Sequence, residues 1–271
     1  MEVIVNKRKF PKDVWETGDF YEPYVGRWSR LVAKEFLDWL NLQPNARWLD
    51  VGCGTGALSQ AIVSSSHPKL VKGVDRSDGY IEYAQNKAAD SRTEFEIGDA
   101  EALPVSDAAF DAAVSGLVLN FVLQPAKMVS EMARSVKKGG VVALYVWDYA
   151  GKMQLMRHFW NAAVALNPQA RDLDEGRRFP MCNPASLNDL FQQAGLKNLE
   201  TRAIDIPTDF KDFHDYWSPF LGGQAPAPGY AMSLDEEKRA ELRERIRIAL
   251  PFALDGTIPL VARAWAVKGV K

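Results

Sequence analysis

The chain has 271 residues, 47% of them apolar and 25% charged, proportions that exclude a collagen, a coiled coil or a disordered chain. Thirty-three Lys and Arg against 35 Asp and Glu leave a formal charge of −2, which argues against nucleic acid or anionic lipid held by overall charge. Two cysteines, Cys53 and Cys182, are too few for a disulfide framework or a four-cysteine metal site, and fit a reducing, cytoplasmic setting.

The first residues, MEVIVNKRKFPKDVWETGDFY, show no apolar core and no small-residue cleavage site, so no secretory signal is expected. No apolar run approaches the ~18 residues of a spanning helix, so no membrane insertion is expected either. No fixed-period repeat is present, and GGQAPAPG (222–229) is the one low-complexity stretch. RWLDV (47–51) reads as a strand and 56–64 as the helix after it. LVKGV (70–74) is a second strand, and Ser77 stands at an N-cap before a helix over 79–89 whose Ile81, Ala84 and Ala88 share a face.

Residues 95–97 predict a third strand and FDAAV (110–114) a fourth. Pro125 suits the first turn of a helix running to Val136, which Gly139 and Gly140 would terminate. VVALYVW (141–147) is the fifth strand. Five strands separated by helices within about 100 residues imply βαβ units on a parallel sheet. Beyond it, helices are expected over 152–166, with Met153, Met156, Trp160 and Ala163 on one side, and over 184–194. A strand is expected at 199–206, and 222–229 as a loop within one domain. Ser233-Leu-Asp-Glu236 has the form of a capping box opening a charged helix toward Leu250, and 258–267 reads as a last strand.

The informative stretch is Asp50-Val-Gly52-Cys-Gly54-Thr-Gly56, between the first strand and its helix. Glycines there permit a tight turn and a close approach of ligand to backbone. Gly52-x-Gly54-x-x-Ala57 also satisfies a dinucleotide fingerprint, and a tight turn without any ligand is a further alternative. Asp50 would repel a pyrophosphate but suits a cationic ligand. Asp75 ends the second strand, where a carboxylate can take both hydroxyls of a ribose, or merely cap the turn before Ser77. Asp99 and Glu101 follow the third strand. Ligands of open α/β sheets bind outside the carboxyl ends of the strands, so three acidic positions there favour a neutral-to-cationic nucleoside.

WLDVGCGTGALS, GVDRS, FEIGDAEALPVSDAAFDAAVS and VKKGGVVAL together resemble the class I S-adenosylmethionine-dependent methyltransferases. Within that family the chain is most similar to the small-molecule group that includes quinone-biosynthesis C-methyltransferases. The resemblance is specific over about 47–147 and looser over YEPYVGRWSRLVAKEFLDWL (21–40). It implies an α/β, Rossmann-like, doubly wound fold: a mostly parallel seven-stranded sheet with an antiparallel C-terminal strand. It also implies one domain over 1–271, made of an N-terminal helical lid (1–40), a cofactor-binding core (41–147) and substrate-covering segments with the last two strands (148–271). By the same resemblance Asp50, Gly52 and Gly54 would line the methionine part of S-adenosylmethionine, and Asp75 would bind its ribose. Asp99 and the Ala100 N–H would meet the adenine, which Arg76, Ile97 or Leu117 would cover. Tyr21, Arg27 and Trp28 are candidates for the carboxylate or for closure over the cofactor; Trp28 reads equally as a core anchor and Arg27 as a surface ion pair.

The substrate walls implied are 115–123, 148–180 and 210–230. Trp147, Tyr149, Met153, Phe159, Trp160, Phe213, Tyr216, Trp217 and Phe220 there suit a small apolar or aromatic methyl acceptor, though helical spacing is equally consistent with core packing. His158, His214 and Tyr149 are candidate bases; His67, in SSSHPK, reads as a surface residue. No His/Cys cluster suggests a metal. The fourth strand is followed by Ser115-Gly116-Leu117-Val118 rather than an Asn/Asp-Pro-Pro-Tyr/Phe tetrapeptide, and the charges of 235–247 are interspersed, so no nucleic-acid partner is expected. A nicotinamide-dependent oxidoreductase and a catalytically idle nucleoside-binding scaffold remain the competing readings.

Overall fold

The computed structural model describes residues 26–222 and 225–271. Seven strands form one sheet: β1 (Arg47–Val51), β2 (Leu70–Asp75), β3 (Thr93–Ile97), β4 (Phe110–Gly116), β5 (Val136–Trp147), β6 (Lys197–Pro207) and β7 (Val261–Val270). Their order is β3-β2-β1-β4-β5-β7-β6. β1 pairs in parallel with β2 and β4, β2 with β3, and β4 with β5, whereas β7 runs antiparallel between β5 and β6. The sheet is the doubly wound, mostly parallel one expected. Its order reverses between β1 and β4, the switch point where the strand ends leave a crevice.

Helix α1 (Arg27–Leu40) shows why the segment before β1 folds as it does. Trp28, Val32, Ala33, Phe36, Leu37 and Leu40 recur at helical spacing and are all buried. Burying a side chain such as Phe36 contributes roughly 1.5–3 kcal/mol. The helix stops at Asn41, whose left-handed backbone (φ 45°) turns its N–H back to the Leu37 carbonyl. Helices α2 (Ala57–Ser65), α3 (Asp78–Lys87) and α4 (Pro125–Ser135) join the parallel strands, and Ser77 caps α3 by accepting from the Tyr80 N–H. After β5 come α5 (Gln154–Leu166), α6 (Glu175–Arg178) and α7 (Pro184–Gln193). Helices α8 (Phe213–Trp217), α9 (Pro226–Ser233) and α10 (Glu236–Ala249) lie between β6 and β7.

Four local expectations are corrected. Gly139 and Gly140 do not end α4, which stops at Ser135 because Val136 is captured by β4 opposite Phe110. Instead they form the irregular start of β5: Gly139 has φ 79° and donates to the Lys271 carbonyl, and the Gly140 carbonyl accepts from the Lys271 N–H. The stretch 222–229 is not wholly a loop, since Pro226 opens α9 at a position where its missing N–H costs nothing. Ser233 does not cap α10; its hydroxyl donates to the Tyr230 carbonyl in the last turn of α9, and Asp235 caps α10 by accepting from the Lys238 N–H at 2.9 Å. The last strand begins at Val261, because Ile258 is used in a separate bridge to Phe210. Asp235→Ala is accordingly expected to lower the urea midpoint, and Ser233→Ala to leave it nearly unchanged, a difference urea denaturation will resolve.

Candidate functional site at the carboxyl edge of the sheet

The turn after β1 is built from three left-handed glycines, Gly52 (φ 72°), Gly54 (φ 52°) and Gly56 (φ 87°). The N–H groups of Gly52 and Cys53 both donate to the Val74 carbonyl, at 2.7 and 3.1 Å, which folds the turn across the end of β2. The Gly54 N–H donates to Asp75 Oδ2 and the Ser77 N–H to Asp75 Oδ1, both at 2.9 Å. Asp75 thus ties the glycine turn to the start of α3, and the capping role considered from the sequence is present. Each carboxylate oxygen retains a second lone pair for a ligand hydroxyl.

Asp50 lies beneath this turn, 1% exposed. Its Oδ2 accepts from Ser59 Oγ on α2 at 2.7 Å, while its Oδ1 has no hydrogen-bond partner. Burial, opposed by the Ser59 hydrogen bond and reinforced by the charge of Asp75, pushes the Asp50 carboxyl up to about 7. Burial and the two carboxylates likewise push the Cys53 thiol up, so it stays a neutral filler and not a nucleophile.

The neighbouring strand ends complete the edge. The Gly98 N–H donates to the Asp75 carbonyl, and exposed Asp99 accepts from the Glu101 N–H at 2.8 Å in a tight turn that leaves Ala100 half-buried. Arg76 and Ile97 are exposed beside it. After β4, Leu117 adopts a left-handed backbone (φ 63°), costly for a branched residue, and donates its N–H to the Tyr145 carbonyl. The Val118 side chain then lies over Gly52, where a Cβ would sit 2.5 Å from Val118 Cγ1. Asp50, Gly52, Gly54, Asp75 and Leu117 are therefore brought together, with Arg76, Asp99 and Ala100 at the adjoining strand ends.

Other candidates are placed differently. Tyr21 lies outside the described residues. Trp28 is a core side chain, 5.7 Å edge-on to Phe210. Arg27 pairs with Asp215 at 3.0 Å, its guanidinium 4.4 Å from the Trp28 ring and 4.8 Å from the Phe210 ring, so it pins α1 to α8. Tyr149 is buried against Phe179 (5.3 Å). His158 is half-buried, which lowers its pKa, whereas His214 and His67 are exposed. The aromatics of 148–180 and 210–230 pack largely on one another: Phe159 stacks on Phe220 at 4.6 Å, and Tyr216 donates to the Leu155 carbonyl at 2.8 Å. Among the described residues, no group of three His, Cys, Asp or Glu is arranged to hold a metal ion, and no helix is long and apolar enough to cross a membrane.

Three features were not anticipated. Ser59 orients Asp50; its signal was a hydroxyl on the inward face of α2. Glu101 accepts from the backbone and side-chain N–H of Gln124, clasping the loop after β3 to the loop after β4. Glu175, 3% exposed, accepts from the Trp160 Nε1–H, and burial raises its carboxyl to about 7. Between about pH 4.5 and 7 the folded chain therefore holds a proton that the unfolded chain loses, and stability falls as pH rises through that window. Glu175→Gln, which keeps an acceptor for Trp160, should be more stable than the parent by about 1–2 kcal/mol at pH 8 and no more stable at pH 4.5. Chemical denaturation at the two pH values checks this.

Residues 49–144 match the family described as a methyltransferase domain. The chain is 36% identical over 114 residues to a demethylmenaquinone methyltransferase of Renibacterium salmoninarum, covering 42% of this chain and 45% of that protein. It is 29% identical over 131 residues to a malonyl-[acyl-carrier protein] O-methyltransferase of Acetivibrio thermocellus, covering 48% and 46%. The chain thus spans under half the length of these curated relatives. A phosphoethanolamine N-methyltransferase 2 of Haemonchus contortus, solved with S-adenosyl-L-methionine, superposes with a TM-score of 0.55 at 16% identity over 89% of this chain and 52% of that one. The [4+2]-cyclase SpnF does so with 0.54 at 17% over 89% and 81%, so the fold is shared by different chemistries. The segment similar to a methyltransferase domain, residues 49–144, is the one that holds Asp50, the glycine turn, Asp75 and Asp99.

Proposed function

We propose that the protein is a methyltransferase that uses S-adenosylmethionine to methylate a small, apolar or aromatic molecule by in-line displacement. The observation that carries this reading is the buried Asp50, with one unpartnered oxygen, under a left-handed glycine turn that Asp75 closes. Bound S-adenosylmethionine would supply the electrophile, a methyl group on a sulfonium. The chain's share is binding, orientation and exclusion of water. Gly52 and Gly54 keep the backbone clear of side chains, Asp50 and Asp75 offer negative charge and acceptors, and Asp99 with the Ala100 N–H is offered to the adenine. Arg76 and Leu117 flank that end.

Support for an apolar acceptor comes from Leu123, 90% exposed, two positions after Phe121, whose ring meets Phe179 at 5.5 Å. His158, His214 and Tyr149 are the candidate bases for an acceptor that must lose a proton. Asp50 also weighs against a nicotinamide dinucleotide, whose pyrophosphate it would face. Calorimetry with S-adenosylhomocysteine and with NADH tests the choice. Micromolar binding of the first alone is expected; binding of NADH alone would overturn it.

A further inference from the structure

An anion buried with an unpartnered oxygen is expensive unless a cation arrives to meet it. Asp50 is 1% exposed, and the charged group that acts on it is Asp75 at the end of β2, of the same sign. Among the described residues, the other elements around it bring no cation. From α2 comes the Ser59 hydroxyl, and from the glycine turn the neutral Cys53 thiol. From β4 come Ala112, Ala113 and Val114 alongside β1, followed by Ser115, whose hydroxyl is committed to the Val51 carbonyl. With no cation from the described residues, the positive charge that balances Asp50 is assigned to a proton or to a ligand.

We propose that Ser59 is a positioning residue for ligand charge: its hydroxyl fixes one oxygen of Asp50 and leaves the other to exchange its proton for the cationic amino-acid end of the bound cofactor. In that exchange the carboxyl O–H breaks, the proton passes to solvent, and the carboxylate formed is balanced by the ligand's ammonium. The inference rests on the methyltransferase reading and adds a pH-coupled step to it. The ligand-free carboxyl titrates near 7. Ligands that carry an ammonium group consequently gain affinity as pH rises through neutrality, and a ligand without one does not.

Ser59 donates to the ionised form, so its loss makes ionisation harder. The test is calorimetry of the full chain between pH 6 and 8.5 with two probes: S-adenosylhomocysteine, which has the ammonium, and 5′-methylthioadenosine, which lacks it. S-adenosylhomocysteine is expected to bind about tenfold more weakly at pH 6 than at pH 8, and methylthioadenosine equally at both. Ser59→Ala should move the midpoint of that dependence upward by about one pH unit, with Ser59→Thr restoring it. Asp50→Asn should abolish it.

A dependence common to both probes, or a Ser59→Ala loss of equal size at every pH, would overturn the positioning role and leave the parent reading standing. Absence of S-adenosylhomocysteine binding at every pH would instead reject the methyltransferase reading, and this inference with it.

Discussion

Asp75→Ala is expected to weaken S-adenosylhomocysteine binding by about 1.5–3 kcal/mol, the scale for hydrogen bonds to a charged acceptor. The upper end applies, because the same carboxylate also receives the Gly54 and Ser77 N–H groups, at 2.9 Å each. Removing it takes away the proposed ribose acceptor and loosens the glycine turn against α3 together. Asp75→Asn keeps one acceptor oxygen and should lose about half as much. Calorimetry gives both values, and thermal unfolding of the ligand-free variants separates the structural share from the binding share. A dissociation constant unchanged in Asp75→Ala would refute the ribose assignment.

Gly52→Ala is expected to destabilise the fold by about 2–4 kcal/mol, from two independent costs. The left-handed backbone at φ 72° is one that alanine adopts only under strain, and the new Cβ would meet Val118 Cγ1 and Cγ2 at 2.5 and 2.6 Å. Gly54→Ala is the internal control. It has φ 52° and nothing within 4 Å of its would-be Cβ, so only the backbone cost of about 1 kcal/mol remains. Adding Val118→Ala to Gly52→Ala should return the overlap cost but not the backbone cost. Urea denaturation of the three variants and the parent measures each increment; equal losses for Gly52→Ala and Gly54→Ala would show that Val118 yields freely.

The run from Asp50 to Gly56 showed that a tight turn follows β1, because left-handed backbone is a local demand that glycine meets wherever it stands. Which glycine is crowded depends on Val118, 66 positions further along the chain (118 − 52) and adjacent only after β4 pairs with β1. The capping of α10 shows the same division at shorter range. Ser233 and Asp235 both satisfy the local chemistry of a cap, and α9, hidden in a stretch that reads as Gly/Pro loop, claims the serine. Likewise Gly139 and Gly140 look like a helix stop until the pairing of Phe110 with Val136 ends α4 earlier.

The sequence by itself determined the alternation of strands and helices through β5, the glycine turn, and the acids at 50, 75 and 99. Each is written in periodicity or in residue chemistry that acts over a few positions. Only the tertiary structure decided that Asp50 is buried with a free oxygen beside Ser59, that Asp75 also braces the turn, and that Arg27 pins α1 to α8. It likewise decided that the aromatics after β5 pack largely on one another. Burial, desolvation and partner choice depend on which distant segments pack against a residue, and that information is set by the sheet order and not by any neighbour in the chain.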